Sequence, residues 1–291
     1  MSNRRRLLLL SSVALLTAAC RSNNSPSGPS PIPESNSTIN YAAIGASDAL
    51  GIGSSVECLP FVDCPNGKGY VQEAVRQLRA SGFTVNLNNL GIPTAVIGRD
   101  FQNLGLQYGR FIAGNFVDSE ATFVHSDTTL VTIFAGGNDV NTVTAALGGG
   151  AGAADQAGFI NDQIRAFGAD YATLLKLIRD RAGAARFVAL NLPNMAGLPF
   201  LAGASMSQRQ AAQKLSVGMT TTVINPLTTQ GVVTVDLMCD PRSYQVSTYS
   251  GDGFHPSDTG YAWIAAEVVA AATTAYKAPQ ASCQQMVVVP N

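Results

Sequence analysis

Tyr41-Ala42-Ala43-Ile44-Gly45-Ala46-Ser47-Asp48 runs from four uncharged, largely apolar residues straight into a glycine, a small residue, a serine and an acid. A short apolar run ended by a turn signal reads as a strand covered on both faces. Gly45 permits a sharp turn, and Ser47 then lies near the start of the next helical segment, exposed at the strand's carboxyl end. Outward from this stretch the pattern repeats. Further strands are expected at 83–87, 130–134, 187–190 and 232–236, and helices near 70–80, 159–181, 208–224 and 259–276. The second helix is the clearest, because Ile160, Ile164, Phe167, Tyr171, Leu174 and Ile178 recur at steps of three and four along one face. Apolar strands alternating with such helices predict an α/β domain with a central parallel sheet. In open sheets of this kind, sites form where strands run into loops at their carboxyl ends.

Histidine is scarce, so any imidazole acid–base step must use His125 or His255. His125 precedes a strand and has no evident role. His255 stands in Asp252-Gly253-Phe254-His255-Pro256-Ser257, just ahead of a helix. A carboxylate three residues upstream can hold one ring nitrogen as N–H and leave the other basic. Ser47 is a candidate nucleophile, with a helix-capping serine as the alternative. Two more segments follow strands: Asn88-Asn89-Leu90-Gly91, where Gly91 offers an unobstructed backbone N–H, and Gly136-Gly137-Asn138-Asp139, where Asn138 offers an amide. Either one alone is an ordinary turn.

Together, Ser47, Gly91, Asn138 and Asp252/His255 resemble, in order and spacing, the four blocks of the SGNH/GDSL hydrolase family, over about residues 41–276. One departure is clear: that family's first block reads Gly-Asp-Ser, whereas here Ala46 precedes the serine and Asp48 follows it. The resemblance implies a flavodoxin-like three-layer α/β/α sandwich and a serine ester hydrolase that needs no metal or organic cofactor. It implies Ser47 as nucleophile with Asp252 and His255 completing a triad, and an oxyanion hole of Ser47, Gly91 and Asn138. The larger α/β-hydrolase superfamily fits less well, because Ala49 occupies the last position of its Gly-x-Ser-x-Gly elbow. The apolar segment 191–200 resembles that of lipase-like members, making Met195, Leu198 and Phe200 candidates for an acyl-chain wall. A packing loop is the alternative. A carboxylesterase or lipase is favoured over a carbohydrate deacetylase, an envelope acyltransferase or a silent binding protein.

The rest of the chain narrows the setting. Its 291 residues are 46% hydrophobic and 13% charged with net charge −1, which gives no electrostatic reason to expect nucleic acid or an anionic membrane surface. Arg4-Arg5-Arg6, an apolar run over 7–16 and Thr17-Ala18-Ala19-Cys20 have the layout of a secretory signal. The ending resembles a bacterial lipobox, implying lipidation of Cys20 and a membrane anchor; ordinary cleavage is the alternative. Residues 21–38, rich in Ser, Pro and Asn, read as a tether, and 39–291 as the hydrolase domain. Four cysteines remain, an even number suited to an oxidising compartment. Cys58 with Cys64 and Cys239 with Cys283 are the expected pairs, with unpaired buried thiols as the alternative. No zinc spacing occurs. The Gly-rich stretch 147–158 reads as a surface loop without a phosphate-loop ending. Gly51 and Gly53 miss the dinucleotide pattern, since Val56 stands where a third glycine belongs.

Overall fold

The computed structural model describes residues 31–62, 64–275 and 277–290. The signal segment, Cys20 and residues 21–30 of the expected tether lie outside the described residues. Strands β1 (Thr38–Gly45), β2 (Thr84–Asn89), β3 (Leu130–Phe134), β4 (Arg186–Leu190) and β5 (Val233–Val235) form one parallel sheet in the order β2-β1-β3-β4-β5. Around it lie α1 (Ser47–Leu50), α2 (Tyr70–Ala80), α3 (Arg99–Gln107), α4 (Gly137–Gly148), α5 (Gln156–Ala182), α6 (Met206–Met219) and α7 (Asp258–Thr273).

The strands' period of two splits the core into two layers. Ala42 and Ile44 of β1, with Val131, Ile133, Phe187 and Ala189, meet Phe167, Tyr171, Leu174 and Ile178 of α5 and Leu215 and Met219 of α6. Tyr41 and Ala43, with Leu130, Val188 and Leu190, meet Tyr70, Val71, Ala74 and Leu78 of α2 and Tyr261, Ile264, Ala265 and Val268 of α7. Burial on both faces is why the strands read as continuous apolar runs. The result is the three-layer α/β/α sandwich expected from the sequence. The chain leaves β1 to one side for β2 and returns to its other side for β3, so the carboxyl ends of β1 and β3 flank a topological switch point.

Several boundaries differ from the sequence reading. β1 takes in Thr38, the last residue of the expected tether. Residues 220–224 wind as a π-turn instead of continuing α6, and α7 stops at Thr273. Residues 156–158 belong to α5, because the Asp155 side chain caps it by accepting the Gly158 N–H at 2.9 Å. Cys58–Cys64 and Cys239–Cys283 are disulfide-bonded, with Cα–Cα separations of 5.9 and 5.7 Å. No helix among the described residues is long and apolar enough to cross a membrane.

Candidate active site

β1 ends at Gly45 and α1 starts at Ser47, so the serine occupies the first helical position, where its N–H lacks an intrahelical acceptor. From the far end of the chain, the loop between residues 249 and 256 is closed by a bridge between Tyr249 and Pro256. That loop brings His255 to the serine: Nε2 lies 2.9 Å from Ser47 Oγ. On the ring's other side, Nδ1 lies 2.5 Å from Asp252 Oδ2.

Asp252 is held by its own loop. Its Oδ1 accepts the Phe254 N–H (2.8 Å), the His255 N–H (2.9 Å) and the Ser250 hydroxyl (2.9 Å). Partial burial alone would raise this carboxyl. The bonds from the His255 ring, the two backbone N–H groups and Ser250 outweigh burial and bring its pKa to about 2. An ionised Asp252 requires the Nδ1–H tautomer, which leaves the Nε2 lone pair to accept the Ser47 O–H. Phe254 packs edge-on against the imidazole (4.9 Å between centroids), and Phe200 against Phe254 (5.1 Å). Gly53, at φ +90°, lets the 51–57 loop close over this unit; a Cβ there would lie 2.7 Å from the His255 Cβ.

The two outlying candidates also converge. A Cβ at position 91 would stand 2.9 Å from the Ala49 Cβ and 3.0 Å from the Ala46 carbonyl, so Gly91 abuts the turn that carries Ser47 as only a glycine can. Its N–H donates to Asn89 Oδ1 at 3.2 Å, while the Asn89 amide donates to the Ala49 carbonyl at 2.7 Å. Asn138, in the first turn of α4, spends one amide N–H on the Ala95 carbonyl (3.0 Å). Its neighbour Asp139 accepts the Ile97 N–H (2.9 Å), and both side chains thereby pin the segment after Gly91.

A largely apolar pocket adjoins this constellation. Its walls include Ala95, Phe116, Leu192, Met195, Leu198 and Phe254. Met195 and Leu198, two of the three acyl-wall candidates, line this pocket. Phe200, whose ring packs against Phe254, is not among the residues that line it. His125 is exposed ahead of β3 and no hydrogen bond links it to the site.

Sequence reasoning missed two acids here. Asp48 lines the pocket, and burial raises its carboxyl while the neighbouring His255 draws it back down. Glu120, 0% exposed, accepts the Gly45 N–H at 3.0 Å through Oε2, and burial holds its carboxyl well above the ordinary range. Glu120 is 75 residues from Gly45, so no local pattern marks it.

A serine and a histidine in hydrogen-bond contact at the carboxyl edge of such a sheet define a hydrolase site of the serine type. A family model described as GDSL-like Lipase/Acylhydrolase matches residues 41–268, and the chain belongs to that family of ester hydrolases. Among solved structures, it is similar to the lipase Lip_vut3 from a goat rumen metagenome (TM-score 0.56, 18% identity, covering 81% of this chain and 98% of that one). It is also similar to an extracellular lipase from Streptomyces rimosus (TM-score 0.52, 19% identity, 81% and 100% covered). At such identities the likeness is one of fold. No curated protein matches the chain at significant similarity.

Proposed function

We propose that the chain hydrolyses carboxylic esters with a single apolar acyl chain through a covalent acyl-enzyme on Ser47. The observation that carries this reading is the continuous contact from Ser47 Oγ to His255 Nε2 (2.9 Å) and from Nδ1 to Asp252 (2.5 Å). Ser47 Oγ attacks the acyl carbonyl while its proton passes to Nε2. Asp252 holds the tautomer and stabilises the imidazolium. The tetrahedral intermediate collapses as Nε2 returns the proton to the leaving alkoxide. A water deprotonated by the same nitrogen then releases the acid.

The oxyanion faces the Ser47 N–H, the Gly91 N–H and the remaining Asn138 amide N–H. Gly91 would exchange the Asn89 oxygen for the oxyanion, a donor kept in place until charge develops. The acyl chain follows the pocket bounded by Phe116, Leu192, Met195 and Leu198. A fluorophosphonate probe should add to Ser47, located by mass spectrometry. Labelling that survives Ser47→Ala, or normal turnover in a folded His255→Ala protein, would remove the reading; His125→Ala should behave as wild type.

The same reading includes export and a lipid anchor on Cys20. The two disulfides support a compartment outside the reducing cytosol. Cys20→Ser should move the protein from the membrane fraction to the soluble one, and unchanged membrane attachment would contradict the anchor.

A further inference from the structure

We propose that Glu120 is a positioning residue for the nucleophile: its carboxyl fixes the Gly45 N–H at the end of β1 and so aims Ser47. This rests on the Ser47 reading above. Gly45 is the last residue of β1 and lies two residues before the serine. With no side chain of its own, its peptide orientation depends on what holds its two polar groups. The carbonyl accepts the Ile92 N–H at 3.2 Å, and the N–H is taken by Glu120 at 3.0 Å. Among the described residues, Glu120 supplies the one side-chain hydrogen bond to the backbone of residues 45–47. Ala46, immediately before the nucleophile, has no polar side chain to share the task.

The segment bearing Glu120 is itself anchored to the rest of the site. Glu120 ends the π-turn Phe116–Glu120, a local geometry over-represented at functional sites. The Phe116 and Val117 N–H groups donate to the Val96 and Ile97 carbonyls at 2.9 and 3.2 Å. Those residues follow the Ala95 carbonyl that Asn138 grips. The Asn88 amide donates to the Phe123 carbonyl at 2.9 Å, joining the same segment to β2. One connected set of bonds thus spaces the Asn138 amide, the Gly91 loop and, through Glu120, the nucleophile turn.

The cost of this device is visible. Among the described residues, Glu120 is wholly enclosed, its Oε1 has no hydrogen-bond partner and no cation offsets its burial; the Tyr70 hydroxyl of α2 is near enough for the carboxyl to raise its pKa. Burial therefore favours the uncharged carboxyl, and an amide of the same shape can accept the Gly45 N–H equally well.

The test compares Glu120→Gln, Glu120→Ala and Glu120→Asp for kcat and KM on a soluble ester, with melting curves and the site of fluorophosphonate labelling. A misplacement of order 1 Å costs up to ~10²-fold in turnover. Ala and Asp are accordingly expected to lower kcat about 10–100-fold with KM within about threefold, while Gln stays within about threefold of wild type. Folded Ala or Asp variants with wild-type kcat would overturn the proposal, as would Gln losing as much as Ala. If Ala does not fold, Asp, which keeps the acid but withdraws it by one methylene, decides. Failure of all three to fold would make Glu120 scaffold only and would also overturn it. Labelling outside Ser47 would instead refute the Ser47 reading, so the two failures are distinguishable.

Discussion

Asp252 has its two oxygens assigned to different tasks: Oδ1 takes three donors from its own loop, and Oδ2 takes the imidazole. That division fixes what Asp252→Asn will do. The amide oxygen will remain on the three donors, so the NH₂ must face Nδ1. The ring then has to offer Nδ1 as acceptor and carry its proton on Nε2, towards Ser47, where it cannot act as base. Turnover is expected to fall by up to ~10⁴, the figure known for such a substitution in a serine protease triad, with the circular dichroism spectrum unchanged. A variant within tenfold of wild-type kcat would mean that Asp252 does not set the tautomer.

At the scale of an element, α4 is the instructive case. Its first turn carries Asp139, 0% exposed, whose Oδ1 holds the Ile97 N–H and whose Oδ2 has no partner. Burial, with a smaller contribution from Asp170, raises this carboxyl to about 7. The fold therefore favours the protonated acid. Its stabilising term is complete below the unfolded pKa near 3.8 and is lost as pH rises through about 7. Asp139→Asn cannot ionise, so its stability relative to wild type should improve between pH 5 and pH 8, by as much as ~3 kcal/mol. Urea melts at the two pH values measure this, and an equal difference at both would contradict it.

α4 was also the element least legible in the sequence. It opens on Gly137, Asn138 and Asp139, residues that favour turns over helix, and it is helical because Val140, Val143 and Ala146 are buried in the core. α3 buries only Phe101 and Gly105, too little to give a periodic signal. By contrast the strands and α5 were readable because their burial is written along consecutive residues. The site divides the same way. Ser47, Gly91, Asn138, Asp252 and His255 stand beside strand ends and turn signals. Glu120 and Asp48 owe their character to enclosure by distant residues, which no local spacing records.

At the scale of the whole molecule, the two disulfides close loops of very different size. Cys239–Cys283 spans 44 residues and Cys58–Cys64 spans 6. Chain-entropy arithmetic assigns ~4 kcal/mol to the longer and ~2 kcal/mol to the shorter. The longer also leads into the tail, whose Val288 and Val289 N–H groups donate to Gln213 on α6 at 2.8 and 3.1 Å. Replacing Cys239 and Cys283 by serine should therefore lower the urea midpoint more than replacing Cys58 and Cys64. The reverse order would show that loop entropy does not govern these bridges.

The contact between Ser47 and His255 joins residues 208 positions apart, from the first strand to the threshold of the last helix. Measured along the chain, that distance is also a delay. A polypeptide emerging from the ribosome carries the proposed nucleophile early and the proposed base almost last. Until residues 249–256 dock, the serine is an ordinary alcohol, and every partial chain is chemically silent. On the proposed reading the topology supplies latency during synthesis, because the site does not exist until nearly the whole domain has folded around it.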